Sequence, residues 1–238
     1  MKVPKVLVAT CTYEGKHYAF KKWWKSIQKL TYPVHEILIV DNTGDNGNYA
    51  RKLKRLTNNK LKVIKAERFG NSRQTLSNSQ YIIRKYVIDN DFDYWLSVES
   101  DLEVPENTVE SLMRWYKPVV GGLYEIGFEN KDGRRYCVFL KHRKEGGLNG
   151  TRIVSEEENQ QLKELKGLVK VHGCGIGCTL IRRDIVKEYV FWTDERFKDK
   201  HSDVYFYMDL ENNKVPVYVD TNVVCKHNNS DWSLVGDR

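Results

Sequence analysis

Short apolar segments alternate with segments of helical spacing through the first half of this chain. The apolar segments are rich in Val, Ile and Leu and have the length of buried strands. They span residues 5–10, 36–41, 61–65 and 94–98, and helical spacing is found at residues 20–30, 49–56 and 72–88. Strands that are apolar throughout and are joined by helices predict a mostly parallel sheet covered on both faces.

The pattern changes after Pro118. Residues 119–124 and 136–140 have strand character on either side of a turn at residues 130–133, which predicts a smaller antiparallel extension. The polar segment 144–166 predicts a loop and a surface helix. Two further helices and a strand are predicted at residues 184–189, 203–213 and 215–219. The expected fold class is α/β, with a mostly parallel central sheet flanked by helices.

The composition is that of a globular protein, because 40% of the 238 residues are hydrophobic and 30% are charged. This length fits a single α/β domain over residues 1–238. No apolar run approaches the ~20 residues that span a bilayer, and Met1 leads almost directly into a strand, so we expect no membrane segment and no signal peptide. Five cysteines, an odd number, indicate a reducing, cytoplasmic setting. The net charge of +7 favours an anionic partner, which could be a nucleotide, a lipid headgroup surface or nucleic acid.

The tripeptide Glu99-Ser100-Asp101 directly follows the apolar segment 94–98. Open α/β sheets bind ligands at the carboxyl edge of their strands, so two carboxylates are expected at that edge. Hard oxygen ligands suit a divalent Mg or Mn ion that also binds substrate phosphates. The alternative is a solvated acidic turn beside the N-terminus of a helix, which we expect to begin at residues 104–105.

Other polar residues follow the first two strands and are expected at the same edge of the sheet. Thr10, Thr12 and Glu14 come after the first strand, and Asp41 ends the second. The Asp41 carboxylate can accept a hydrogen bond from a base imide or a ribose hydroxyl, or it can cap the Asn-Gly turn that follows. Arg73 lies at the start of the third helix, where it is either a diphosphate contact or a surface cation.

Seven short segments resemble, in the right order, the GT-A glycosyltransferases and most closely their family 2. They are residues 8–13, 37–42, 70–73, 99–101, 173–183, 201–206 and 220–227, and the resemblance covers residues 3–228. It implies a Rossmann-like fold with a nucleotide-sugar-binding half at residues 1–102 and an acceptor-binding half at residues 103–238. The activity implied is transfer of a hexose-type sugar from a nucleotide-sugar donor, with a UDP-linked donor and inversion as our expectation.

The resemblance also implies roles for individual residues. Asp101 would be the direct ligand of Mn or Mg and His227 would complete the site, whereas Glu99 would contact the donor ribose or a water on the metal. Glu99 stands where the family usually has the first Asp of Asp-x-Asp. Asp203 would be the general base, with Asp209 as a competing candidate and a retaining reaction as the outcome if neither is positioned. The full set of expected donor contacts is Thr10, Thr12, Glu14, Asp41, Arg73, Glu99 and Ser100.

The residue spacing argues against two alternative sites, and the residue pattern disfavours a third. Cys174, Cys178 and Cys225 with His227 do not have the spacing of common zinc modules, and small buried cysteines beside close-packed glycines are the preferred interpretation. The glycines of segment 173–177 lack the final spacing of a dinucleotide fingerprint. The basic segment 51–55 and the Trp pair at 23–24 could form a nucleic-acid surface, although a solvated face and one core tryptophan are favoured.

Other functions remain open at this stage. A nucleotidyltransferase shares the paired carboxylates but would carry a glycine-rich phosphate loop at residues 9–20, where this chain has only Gly15. A non-catalytic binder is disfavoured by the intact acidic residues. The acceptor could be a glycan, a lipid-linked sugar, a protein or nucleic acid, and a lipid-linked acceptor would require binding at the membrane periphery through basic residues.

Overall fold

The structure, a computed structural model, describes residues 3–127, 134–143, 149–194, 196 and 201–228. The first half contains four strands and three helices. They are β1 (Val6–Thr12), α1 (His17–Gln28), β2 (Glu36–Asp41), α2 (Asn48–Leu53), β3 (Leu61–Lys65), α3 (Ser72–Asp89) and β4 (Tyr94–Val98). Strand β1 pairs with β2 and β4, and β2 pairs with β3, all in parallel. The predicted parallel arrangement of this half is therefore confirmed.

The second half contributes further strands and four helices. They are β5 (Leu102–Glu103), α4 (Thr108–Met113), β6 (Val119–Leu123), β7 (Glu125–Gly127), β8 (Arg134–Tyr136), β9 (Val138–Arg143), β10 (Asn149–Ile153), α5 (Glu156–Glu164), β11 (Leu168–Val171), β12 (Gly173–Cys174), β13 (Cys178–Arg182), α6 (Arg183–Glu188), α7 (Ser202–Asn212), β14 (Val217–Val224) and β15 (Lys226–His227). The central sheet has eight strands in the order β11-β14-β6-β13-β4-β1-β2-β3. Four of its neighbouring pairs are parallel, and three, each of which includes at least one strand of this half, are antiparallel.

The small antiparallel sheets confirm the predicted extension, but they are formed by other strands than those predicted. Strand β7 pairs with β8, and β9 pairs with β10 and β12, whereas the predicted turn at 130–133 lies outside the described residues. Strand β6, which was predicted to belong to this extension, lies instead in the central sheet between β13 and β14. Its central position is physically reasonable, because all five of its residues are buried.

Two other elements differ from the sequence-based expectation. No strand was predicted within residues 173–183, but they include β13, which pairs with β4 in the middle of the sheet. The glycine-rich start of this segment resembles a loop, and the strand signal comes only from the buried Cys-Thr-Leu-Ile that follows. Helix α4 begins at Thr108 rather than at residues 104–105, since residues 104–107 form no helix.

The core has one apolar layer on each face of the central sheet. Alternate residues of β1 point to opposite layers, so Leu7 and Ala9 belong to one and Val6 and Val8 to the other. Trp23 and Trp24 of α1 are both buried, which corrects the expectation that only one of them is core. The basic residues of segment 51–55 are exposed, as predicted for a solvated face. Across the described residues, the helices are too short or too polar to cross a lipid bilayer.

The glycine and cysteine residues of the second half allow close packing behind the strand ends. A Cβ atom on Gly121 would lie 2.5 Å from the Cys174 Sγ, and one on Gly175 would lie 1.8 Å from the Tyr124 Oη. All five cysteines are free, in agreement with the expectation that no disulfide framework is present. The preferred interpretation of buried cysteines beside close-packed glycines is therefore confirmed.

We predict that Gly175→Ala lowers the free energy of unfolding by about 1–3 kcal/mol, because the added methyl group overpacks the space filled by Tyr124. Urea denaturation followed by circular dichroism measures this change. Gly127→Ala is the matched control, since among the described residues no atom outside its chain neighbours lies within 4 Å of a Cβ at that position. Equal destabilisation of the two variants would contradict the packing argument.

Candidate active site

The turn after β4 places three polar side chains at the carboxyl edge of the central sheet. The backbone N–H of Glu99 donates to Gly177 O at 2.8 Å, and that of Leu102 donates to Glu99 O at 2.9 Å, which closes the turn. Ser100 and Asp101 are fully buried within it. Thr12 Oγ1 donates to Ser100 Oγ at 2.9 Å, so the end of β1 is bound directly to this turn.

The late strand β15 brings His227 to the same turn. It pairs with β5 so that His227 lies opposite Leu102, and the Asn228 N–H donates to Asp101 O at 2.9 Å. His227 Nε2 lies 3.5 Å from Asp101 Oδ2. Its Nδ1 lies 2.9 Å from Glu125 O, and because a carbonyl only accepts, Nδ1 carries a proton. Nε2 is therefore the ring nitrogen that faces the carboxylates, and once deprotonated it can ligate a metal, as metal-binding histidines do.

Glu99, Asp101 and His227 can each offer one ligand atom, and these atoms all lie within 4.8 Å of one another. Among the described residues, no other group of three or more His, Cys, Asp or Glu side chains comes together in this way. Asp101 Oδ1 is buried and has no hydrogen-bond partner among the same residues. Two carboxylates and an imidazole fit a divalent ion such as Mn²⁺, and the zinc alternative built on the cysteines is wrong.

Lys16 also reaches this cluster, a contact that the sequence analysis missed. It lies in the 3-10 turn Glu14–Lys16 after β1, and its Nζ is 3.1 Å from Asp101 Oδ2. Burial raises the pKa of Asp101, but the Lys16 ammonium and the His227 imidazole outweigh this effect and bring the pKa to about 2. The sequence could have indicated this contact, because Lys16 is a cation in the first turn after β1, whose carboxyl end lies at the edge of the site.

Tyr124 is a second residue that the sequence analysis did not single out. It follows β6 at the same edge, and its ring packs edge-on against His227 with 5.5 Å between the ring centroids. Its Oη accepts a hydrogen bond from the Gly177 N–H at 3.2 Å. The side chain therefore supports both the histidine and the segment that precedes β13.

Asp203 lies in the first turn of α7, which the Ser202 hydroxyl fixes to α3 by donating to Gln80 Oε1 at 2.5 Å. Burial raises the pKa of Glu99, and Lys16 partly offsets this shift. The nearby Asp203 carboxylate raises the pKa of Glu99 further. Burial also raises the pKa of Asp203 itself, although His201 and the Val204 N–H oppose the shift.

The competing base candidate Asp209 makes a different contact. It accepts a hydrogen bond from Trp192 Nε1 at 2.8 Å. Because six residues of an α-helix correspond to more than one and a half turns, Asp209 faces away from the direction of Asp203.

Three of the four other predicted donor contacts lie near the ends of β1 and β2, and Arg73 lies at the start of α3. Their described contacts are away from the carboxylate cluster. Thr10 is buried and donates to Cys11 O, and Glu14 is exposed and pairs with Lys52. Asp41 is fully buried, and its Oδ1 accepts from the N–H and hydroxyl of Thr43, which is the capping role considered above.

The second carboxylate oxygen of Asp41 is buried and lies near a lysine. Asp41 Oδ2 has no hydrogen-bond partner among the described residues, and the nearest cation is Lys65 Nζ at 3.8 Å. Arg73 is the second residue of α3, and the Asn71 side chain caps the helix by accepting from the Arg73 N–H at 2.9 Å. The backbone of Arg73 is therefore fixed in the first turn of α3.

Comparison with known proteins identifies the fold. No family model and no curated protein matches the chain. Among solved structures, it resembles the crystal structure of GalNAc-T7 with UDP, GalNAc and Mn²⁺, with a TM-score of 0.64 and 14% sequence identity. The match covers 95% of this chain and 44% of that chain. The chain therefore has a GT-A glycosyltransferase fold and spans less than half of the protein that it matches.

We predict that Mn²⁺ stabilises this protein and that Asp101→Asn removes the effect. A ligand present at about 100 times its dissociation constant adds about 2.7 kcal/mol to the free energy of unfolding when only the native state binds it. Thermal unfolding with and without Mn²⁺ measures the increment. Glu106→Gln, which removes an exposed carboxylate paired with Lys29, serves as the control and should keep the wild-type increment. A full increment in Asp101→Asn would contradict the metal assignment.

Proposed function

We propose that this protein is a metal-dependent, inverting glycosyltransferase that transfers a sugar from a UDP-linked donor to an acceptor hydroxyl. The observation that carries the proposal is the convergence of Glu99, Asp101 and His227 at the carboxyl edge of a GT-A sheet. The protein of similar fold, described above with UDP, GalNAc and Mn²⁺, supports the same choice of donor and ion.

Asp101 and His227 would hold the divalent ion. Such an ion, when bound, neutralises the charge that develops on the departing diphosphate. The Asp101 carboxylate would supply an oxygen ligand, and the hydrogen bond from His227 Nδ1 to Glu125 O would leave Nε2 as the ring nitrogen that binds the ion. Glu99 would contact the donor ribose.

The donor nucleotide would lie across the ends of β1 and β2. Asp41 Oδ2, which accepts no hydrogen bond from the described residues, would accept one from a base imide or a ribose hydroxyl, while Oδ1 remains bound to Thr43. Arg73 would contact the diphosphate together with the first N–H groups of α3. Thr12 and Ser100 act through their mutual hydrogen bond, which holds the Glu99–Asp101 turn against β1. Thr10 and Glu14 would line the same edge.

Asp203 would act as the general base. It takes the proton from the acceptor hydroxyl while the acceptor oxygen bonds to the anomeric carbon. The bond from that carbon to the diphosphate oxygen breaks, and its electron pair leaves with UDP. Burial raises the pKa of Asp203, which makes the carboxylate a stronger base than a solvated aspartate.

A panel of nucleotides and nucleotide sugars tests the proposal without knowledge of the acceptor. We expect UDP and UDP-sugars, but not ADP or GDP, to raise the melting temperature in the presence of Mn²⁺. Slow release of UDP from the matching UDP-sugar identifies the donor, since water can replace the acceptor. Absence of Mn²⁺-dependent stabilisation by every nucleoside diphosphate would overturn the proposal.

We predict that Asp41→Asn and Arg73→Ala each weaken UDP binding about tenfold or more, the range of a hydrogen bond to a charged group. Asparagine is preferred at position 41 because this residue is fully buried and its Oδ1 holds Thr43. Isothermal titration with UDP and Mn²⁺ measures the change. Arg55→Ala, at an exposed position on the solvated face, is the control and should bind like wild type. Unchanged affinity in both test variants would remove these residues from the donor site.

We predict that Asp203→Asn lowers the turnover number about 10²- to 10⁴-fold, the usual contribution of general-base catalysis, and leaves UDP binding unchanged. Asparagine keeps the size of the side chain and the oxygen that accepts from the Val204 N–H, so the start of the helix stays intact. Asp209→Asn is the matched control on the same helix and should retain activity. Near wild-type transfer by Asp203→Asn would move the base to Asp209 or indicate a retaining reaction.

A further inference from the structure

The Lys16 side chain is directed into the carboxylate cluster rather than into solvent. Its Nζ lies 3.1 Å from Asp101 Oδ2, and the side chain is only 16% exposed. Lys52, which pairs with Glu14 in the same turn, is by contrast 60% exposed. A lysine that buries most of its side chain against a carboxylate loses more hydration than a surface ion pair does, so this contact differs from the other lysine contacts nearby.

The backbone fixes the position from which this side chain extends. The Lys16 N–H donates to Tyr13 O at 2.9 Å, and α1 begins at the next residue. Gly15 leaves room for the Tyr13 ring, because a Cβ at Gly15 would lie 2.2 Å from it. The turn is therefore held between β1 and α1 with Lys16 on the side of the carboxylates.

The Lys16 ammonium contacts the same oxygen that His227 approaches. Asp101 Oδ2 lies 3.1 Å from Lys16 Nζ and 3.5 Å from His227 Nε2. The ligand atoms that Glu99, Asp101 and His227 offer lie within 4.8 Å of one another, so the ammonium contacts a potential ligand of the ion. An ammonium and a divalent ion cannot both take that position, since each would be repelled by the other at contact distance.

We propose that Lys16 is a tethered cation that competes with the divalent ion for Asp101 and must withdraw before the ion binds. This inference rests on the metal site of the proposed function. Lys16 compensates the buried negative charge of the cluster, which would otherwise destabilise the folded protein. The free energy required to withdraw Lys16 therefore opposes metal binding. Lys16 thereby lowers the affinity of the protein for the bare ion and limits the choice of ions to those that displace it.

The test is a Mn²⁺ titration of the purified protein, with free Mn²⁺ measured by electron paramagnetic resonance. We expect Lys16→Met to bind Mn²⁺ about 10- to 100-fold more tightly than wild type, the range of one hydrogen bond to a charged group. Lys52→Met also removes one positive charge, from a lysine that pairs with the Glu14 carboxylate at the rim of the site, and this variant should bind Mn²⁺ like wild type. Circular dichroism with and without Mn²⁺ reports whether each variant is folded.

The outcomes separate this inference from the proposed function. If wild type binds Mn²⁺ and Lys16→Met binds it equally or more weakly, the competition is wrong and the metal site stands. An equal gain in the Lys16→Met and Lys52→Met variants also overturns the competition, because net charge alone would explain it. If neither wild type nor Lys16→Met binds Mn²⁺, both assignments are wrong. Should Lys16→Met fail to fold at any Mn²⁺ concentration, Lys16→Gln replaces it in the same comparison.

Discussion

The buried charge of Asp101 is the constraint on which the site depends. Its side chain is 1% exposed, so the carboxylate has lost nearly all of its hydration and must be compensated by protein groups. Lys16 provides this compensation from the turn after the first strand, and His227 provides it from the strand β15. The eight-stranded sheet brings these distant segments to one edge, and the two apolar layers hold it rigid behind them.

The parallel half of the fold could be predicted because its signals are local. Strands β1 to β4 are short apolar runs, and α3 has a capping residue, Asn71, directly before it. Strand β13 could not be recognised in the same way. Its pairing with β4 is a tertiary contact, and the glycines before it are required by the approach of Tyr124, which no local pattern reveals.

The candidate site shows the same division. The edge positions of Glu99, Asp101 and Asp203 follow from strand ends and from a helix start, both of which are visible in the sequence. The contact of Lys16 depends on how a flexible side chain packs after the turn has formed. The burial of Asp41 was likewise not expected, because a residue at the end of a strand is exposed or enclosed according to what the next loop does. Residue type and position along a strand were predictable, whereas side-chain environment was not.

The two-residue strand β15 has a consequence for the order in which this site is assembled. Asn228, which binds the backbone of Asp101, follows it by 127 residues in the chain. During synthesis, β1 to β4 and the acidic turn can therefore emerge and pair while the histidine has yet to be made. Over that interval Lys16, from the same early segment, is already present to shield Asp101. In a ribosome-bound chain the charge of Asp101 would thus be compensated before a metal could bind. The later synthesis of His227 would complete the metal site.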